Sequence, residues 1–154
     1  MAGISIGKFE LSRVQELDFP MAYAQTFFPE MSDEMLAEVR RKIPPGHLTD
    51  DGKVIFSFHS YVVRTGRYNI LVDTCCGNDK QRPGRDDFTG LNTGYLDTQA
   101  AQGLKPGDID YVMCTHLHWD HVGWNTLLVN GAWEPTIPNA QLVMAKREND
   151  FWNE

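Results

Sequence analysis

Residues 115–125 read Thr-His-Leu-His-Trp-Asp-His-Val-Gly-Trp-Asn and put His116, His118, Asp120 and His121 within six positions. The chain has five histidines, so most of its imidazoles stand in this one stretch. Imidazole nitrogens and a carboxylate at such density are the donor set of zinc and other borderline divalent metals. His116 and His118 are two residues apart, and extended backbone points both to the same side. Asp120 and His121 are adjacent and diverge, which suits a second, neighbouring ion better than the first. The apolar stretch 109–115 runs straight into His116 and would anchor the ligands, and Gly123 permits a tight turn after them. The bland alternative is a histidine-rich surface turn, but such turns seldom follow a buried strand and enter a glycine-bounded helix.

The segment resembles the HxHxDH motif of the metallo-β-lactamase superfamily. Its flanks are similar too: Ile70-Leu-Val-Asp-Thr74 before it, and a later strand followed by Glu148-Asn-Asp-Phe-Trp152. The likeness is nearer to the lactonase-like and methyl-parathion-hydrolase-like branches, and it covers most of residues 50–154. It implies an α/β (α+β) fold, the αββα sandwich in which two sheets pack face to face. It implies two Zn2+ ions per complete site, with Mn2+, Co2+ or Fe2+ as substitutes. His116 and His118 would bind the first ion, and Asp120 and His121 the second. Asp120 would also orient the bridging hydroxide, and Asp73 would support the loop by hydrogen bonding rather than bind metal directly. A divalent ion lowers the pKa of bound water to about 7, and the hydroxide formed attacks an electrophilic carbon or phosphorus. Esters, lactones, lactams and phosphotriesters suit this machinery. Where the family usually carries glycine after Asp-Thr, this chain carries Cys75.

The superfamily completes its site with a third histidine, a bridging aspartate and a last histidine from the second half of its domain. No histidine follows His121 here, and the one aspartate after it is Asp150, placed before the family's third histidine. The expectation is therefore the N-terminal part of a single domain: residues 1–49 as a strand, loop and helix extension, and 50–154 as the motif-bearing core. Each ion would keep two protein ligands, where catalytic zinc usually has three plus water. A second copy or a C-terminal half would be needed to cover an otherwise exposed sheet face. Three outcomes follow: a metal-dependent hydrolase, a truncated and inactive fragment, or a mononuclear metal-binding module, for which the loop must rearrange.

The elements that must position these residues are legible in outline. The chain has 154 residues and 42% hydrophobic content, an ordinary composition for one globular domain. The net charge of −7 disfavours nucleic acid as a partner and leaves a small-molecule substrate open. No apolar run approaches the roughly 20 residues of a membrane span, and the N-terminus carries Lys8 and Glu10 in place of a signal peptide's apolar core. Cys75 and Cys76 are adjacent and Cys114 is alone, a pattern that reads as reduced, buried thiols of a cytoplasmic protein. Residues 3–17 read as one or two strands and 18–31 as an irregular aromatic loop. A helix capped by Ser32 ends before Pro44-Pro45. Residues 54–63 and 68–73 form a hairpin, with His59 expected as a supporting histidine rather than a ligand. A helix begins at Asn92 or Thr93, a buried strand spans 109–115, and Asn130-Gly131 turns a hairpin within 127–134. A strand at 140–145 and a helix from Lys146 to Trp152 follow.

Overall fold

The computed structural model describes residues 3–154. The chain divides into two units, one made of the residues up to Glu16 together with Phe58–Glu154, the other of Leu17–Ser57.

The larger unit is mixed α/β. Strands β1 (Ile4–Ile6), β2 (Phe9–Tyr23), β3 (Lys53–Arg64), β4 (Asn69–Val72), β5 (Tyr111–Met113) and β8 (Gln141–Val143) belong to one sheet in the order β1-β2-β3-β4-β5-β8. β2 and β3 each continue into the second unit. The β3–β4 hairpin is antiparallel, with Val62 opposite Leu71. β4, β5 and β8 are parallel, with Leu71 opposite Val112 and Val112 opposite Leu142. Period-two alternation does the work expected of it: Phe58, Ser60 and Val62 are buried while Tyr61 between them is exposed. Val14, Val62, Leu71, Val112 and Cys114 meet Tyr95 and Trp124 in the core.

The strand expected over 109–115 narrows to Tyr111–Met113 because Thr115 N–H donates to the Asp73 carboxylate rather than to a neighbouring strand. The helix expected from Asn92 or Thr93 begins at Tyr95 instead, as α3 (Tyr95–Ala101), with no side-chain cap. Thr93 Oγ1 is already committed to Glu16 and Asn78. The Asn130-Gly131 turn joins β6 (Thr126–Val129) to β7 (Ala132–Pro135), with φ of 51° and 85°, the double left-handed geometry of a two-residue hairpin. The helix α4 (Lys146–Trp152) closes the described chain. Among the described residues, no helix is long and apolar enough to cross a membrane.

In the second unit, β2 stays extended to Tyr23, so the loop expected from residue 18 starts later than its prolines suggest. One helical turn, α1 (Ala24–Phe27), and then α2 (Asp33–Lys42) follow. Ser32 Oγ accepts from Met35 N–H at 3.2 Å, and Asp33, Glu34 and the Arg40-Arg41-Lys42 end suit the helix dipole. No residue of α2 is buried, so its apolar stripe is only half covered. Phe27 stacks on Phe56 at 5.3 Å between ring centroids, while His47 is exposed and holds to the Pro44 carbonyl.

Candidate metal centre

The loop after β5 brings His116, His118, Asp120 and His121 together, and Asp73, at the end of β4, reaches into the same group. Asp73 Oδ2 lies 2.8 Å from His121 Nδ1 and 2.8 Å from Thr115 Oγ1. Thr115 Oγ1 also lies 3.1 Å from His116 Nδ1. A carboxylate only accepts, and a hydroxyl carries one proton. Thr115 therefore donates to Asp73 and accepts from His116 Nδ1–H. His121 Nδ1–H donates to Asp73 by the same reasoning. In both neutral imidazoles the lone pair is left on Nε2, the tautomer a metal requires, set by the partner on the opposite nitrogen.

Those Nε2 atoms face the remaining donors. His116 Nε2 is 3.1 Å from His118 Nδ1, and His121 Nε2 is 3.6 Å from Asp120 Oδ2. Two ligands of one tetrahedral zinc at about 2.1 Å stand roughly 3.4 Å apart, so each pair has the spacing of two ligands on a shared ion. The donor chemistry fits a divalent metal in two pairs. Among the described residues, no group of three or more His, Cys, Asp or Glu is gathered to hold one ion. The other residue expected near the site, His59, stands on the same face of β3 as Tyr61, against whose ring it packs edge-on at 4.9 Å.

Beneath the loop, residues 73–79 carry positive φ at every second position: Asp73, Cys75, Gly77 and Asp79. Such alternation turns successive N–H groups into one concavity that binds an anion. The anion is Glu16 of β2. Its carboxylate accepts from Cys76 N–H at 2.7 Å and Gly77 N–H at 3.1 Å, and further from Trp124 Nε1–H at 2.7 Å and Thr93 Oγ1–H at 3.1 Å. A Cβ on Gly77 would stand 2.5 Å from the Gly123 carbonyl, and one on Gly123 would overlap the Cys76 carbonyl. The two glycines thus let the histidine loop rest directly on the turn. Cys75 adopts a φ of 48°, the conformation glycine would take there without strain.

Trp124 is buried and stacks on Tyr95 at 5.3 Å, so it packs the loop rather than walling a pocket. Trp119 packs between Phe88 and Phe58, at 4.8 and 6.3 Å. Glu148 of α4 accepts from Leu117 N–H at 3.1 Å, and the Trp152 ring lies edge-on to His118. All three cysteines are free and buried, and burial pushes each thiol up, away from the reactive thiolate. Sequence reasoning missed Thr115 and Glu16. Thr115 carried a usable signal, a hydroxyl beside the first ligand. Glu16 carried none, since it stands 60 residues from the turn it holds.

Comparison with known proteins agrees with this architecture. The family model described as the metallo-beta-lactamase superfamily matches residues 56–154, and the chain belongs to that superfamily. Among solved structures it is similar to the hydrolase AbOPH of the beta lactamase superfamily, at 22% identity, over 99% of this chain and 47% of that one, with a TM-score of 0.72. It is similar to AidC, a dizinc quorum-quenching lactonase, at 23% identity, over 97% of this chain and 46% of the other, with a TM-score of 0.72. A probable metal-dependent hydrolase from Staphylococcus aureus matches at 20% identity, over 97% of this chain and 51% of that one, with a TM-score of 0.73. At such identities the likeness is one of fold, and the chain spans about half the length of these structures. No curated protein matches.

Proposed function

We propose that this chain carries the metal-binding half of a hydrolase acting on an ester, lactone, lactam or phosphotriester-like bond. The reading rests above all on the orientation of His116 and His121. Each has Nδ1 tied down, to Thr115 and Asp73, and Nε2 turned toward a second donor. His116 and His118 would hold one divalent ion, Asp120 and His121 another. When bound, such ions supply acidified water and stabilise negative charge on the reacting group. Asp73 keeps His121 in the right tautomer, Thr115 does the same for His116, and Asp120 accepts a proton or orients water beside His121. Zinc is the expected metal, with manganese, cobalt or iron as substitutes. The three unpaired thiols support a reducing, cytoplasmic setting.

A count of two donors per pair supports a companion reading: full activity needs ligands from another copy or another polypeptide segment. Exposed Met113 and Val143, paired side by side on one face of β5 and β8, favour such a cover.

The test is elemental analysis of the purified chain with Co2+ titration followed by visible absorption, then a hydrolysis panel of p-nitrophenyl acetate, a γ-lactone, a β-lactam and a phosphotriester. The expected result is metal uptake abolished by His116→Ala together with His121→Ala, and any hydrolysis lost in parallel. A folded chain that takes up no metal, or hydrolysis indifferent to both substitutions, refutes the proposal.

A further inference from the structure

A cleft of about 580 Å³ opens beside the histidine loop, lined by Lys80, Arg82, Trp119 and Trp133, with Asp79 and Thr126 also on its wall. Its cations are held by neutral partners. Lys80 Nζ donates to Thr126 O at 2.9 Å and Thr126 Oγ1 at 2.7 Å, and stands 3.4 Å from the Trp133 ring centroid. The Arg82 guanidinium lies 4.8 Å over Trp119 and donates to the carbonyls of Phe88 and Cys76. Arg85 approaches the Trp119 ring as well, at 5.2 Å. Among the described residues none of the three has an ion-pair partner, in a chain whose net charge is −7.

The carboxylates that act on these cations are Asp79 on Lys80, and Glu16 and Asp120 on Arg82. Glu16 is saturated by four donors, and Asp120 faces His121. Partial burial pushes Lys80 down to about 8, Arg82 adding to the effect, and burial likewise lowers Arg82 from its ordinary value. Two cations are thus fixed in place, partly stripped of water, and each is laid on an indole face. An anion entering there gains charge-assisted hydrogen bonds from the N–H groups that Thr126 and the Phe88 and Cys76 carbonyls leave free. The indoles offer an apolar surface to whatever carries the charge.

We propose that this cleft is a subsite for an organic carboxylate, its negative group at Lys80 and Arg82 and its flat apolar body against Trp119 and Trp133. Trp119 lies between His118 and Asp120 in the chain, so an anion seated there extends toward the histidine loop. The assignment deepens the hydrolase reading by naming a feature of the substrate, an anionic substituent on an apolar frame, and to that extent rests on it.

The experiment titrates 4-fluorobenzoate into the metal-stripped chain at low salt, read by fluorine NMR line broadening, with neutral 4-fluorobenzamide as the matched probe. Benzoate should bind at least about tenfold more tightly than the amide, the worth of one partly desolvated charge contact. Lys80→Gln should erase most of that difference and leave the amide unchanged. Trp133→Leu should weaken both probes, and Lys8→Gln, the same charge loss on an exposed residue elsewhere, should change neither. Raising salt should weaken only benzoate in the wild-type chain, a readout that needs no variant to fold.

Equal binding of the two probes overturns the assignment, as does a Lys80→Gln chain that keeps the preference. Displacement of benzoate by an equal concentration of inorganic phosphate overturns its apolar half. Because the titration is run without metal, a failed hydrolase assay leaves a positive result standing. A chain that takes up Co2+ yet ignores benzoate refutes the cleft alone.

Discussion

Replacing Glu16 by glutamine removes one charge and one acceptor from the point where four donors converge. Oε1 accepts from Trp124 Nε1, Gly77 N and Thr93 Oγ1, and Oε2 accepts from Cys76 N. In Glu16→Gln the amide can keep its oxygen at the first position, and its NH2 then faces the Cys76 N–H. That leaves a buried donor unsatisfied, worth about 1–3 kcal/mol, while three bonds fall from charge-assisted to neutral strength, roughly 1 kcal/mol each. Relief of the carboxylate's own desolvation offsets part of this. The net loss is about 2–4 kcal/mol, a large share of a typical 5–15 kcal/mol stability. In a domain of this size it corresponds to a fall in Tm of roughly 5–12 °C.

Urea and thermal unfolding should be followed by near-UV circular dichroism, which reports the Trp124–Tyr95 stack, with Co2+ uptake measured on the same samples. Glu16→Gln should melt earlier, lose part of the near-UV signal and bind Co2+ more weakly although it touches none of the expected ligands. A loss below about 0.5 kcal/mol, the range of an ordinary surface substitution, with the aromatic signal intact, would refute the reasoning that this carboxylate holds the turn.

Four other outcomes are expected. Gly123→Ala drives a Cβ into the Cys76 carbonyl and should cost at least about 3 kcal/mol, seen as loss of soluble, cooperatively unfolding protein. Asp73→Asn keeps one acceptor and sets its NH2 against either the Thr115 N–H or the His121 Nδ1–H, and should weaken Co2+ binding about 10–100-fold, with far-UV dichroism unchanged. Gln99 is fully buried with both side-chain polar atoms unpartnered among the described residues, so Gln99→Met should stabilise the fold by about 1–2 kcal/mol in urea titrations. The thiols of Cys75 and Cys76 sit above their ordinary value of 9.0 because burial opposes the thiolate. Unfolded thiols release protons above that value and folded ones do not, so unfolding free energy should fall as pH rises beyond about 9. Lys80, pushed down to about 8 from 10.5, acts with the opposite sign between those values. Cys75→Ala should flatten the alkaline fall, and urea titrations from pH 7 to 10 measure it.

Much of the fold was legible because its elements follow from local rules. The Ser32 cap, the Asn130-Gly131 turn and the alternation through β3 each need only a few adjacent residues, and each is found. The histidine loop was legible because its four expected ligands are neighbours in sequence. Boundaries failed where a distant group intervened. Thr93 was a sound cap candidate until Glu16 claimed its hydroxyl, and strand 109–115 stopped short where Asp73 took the Thr115 N–H. The apolar stripe of α2 has the right spacing for a core helix, yet none of its residues is buried. Periodicity selects the face a helix would bury, not how much of that face is covered.

The support of the loop was illegible for a reason that lies in its energetics. Putting Asp73, Cys75 and Asp79 at positive φ is costly, about 1–3 kcal/mol for a residue such as Cys75, while Gly77 takes it freely. The conformation also turns the Cys76 and Gly77 N–H groups to one side, where they cannot join a strand ladder. Buried donors of this kind need an acceptor. A neutral carbonyl could accept one or two of them, whereas a carboxylate accepts all, adds charge to each bond and has capacity left for the Trp124 indole. That indole belongs to the histidine loop, so one side chain ties the strained turn and the loop together. The strain at Cys75 persists because breaking it would require breaking the Glu16 contacts as well. Local propensity argues against Cys75 in that conformation, and nothing near Glu16 in sequence announces its partners. The turn under the histidine loop therefore depends on a residue that motif reading passes over, while Thr115 and Asp73 hold the Nδ1 atoms of His116 and His121 above it.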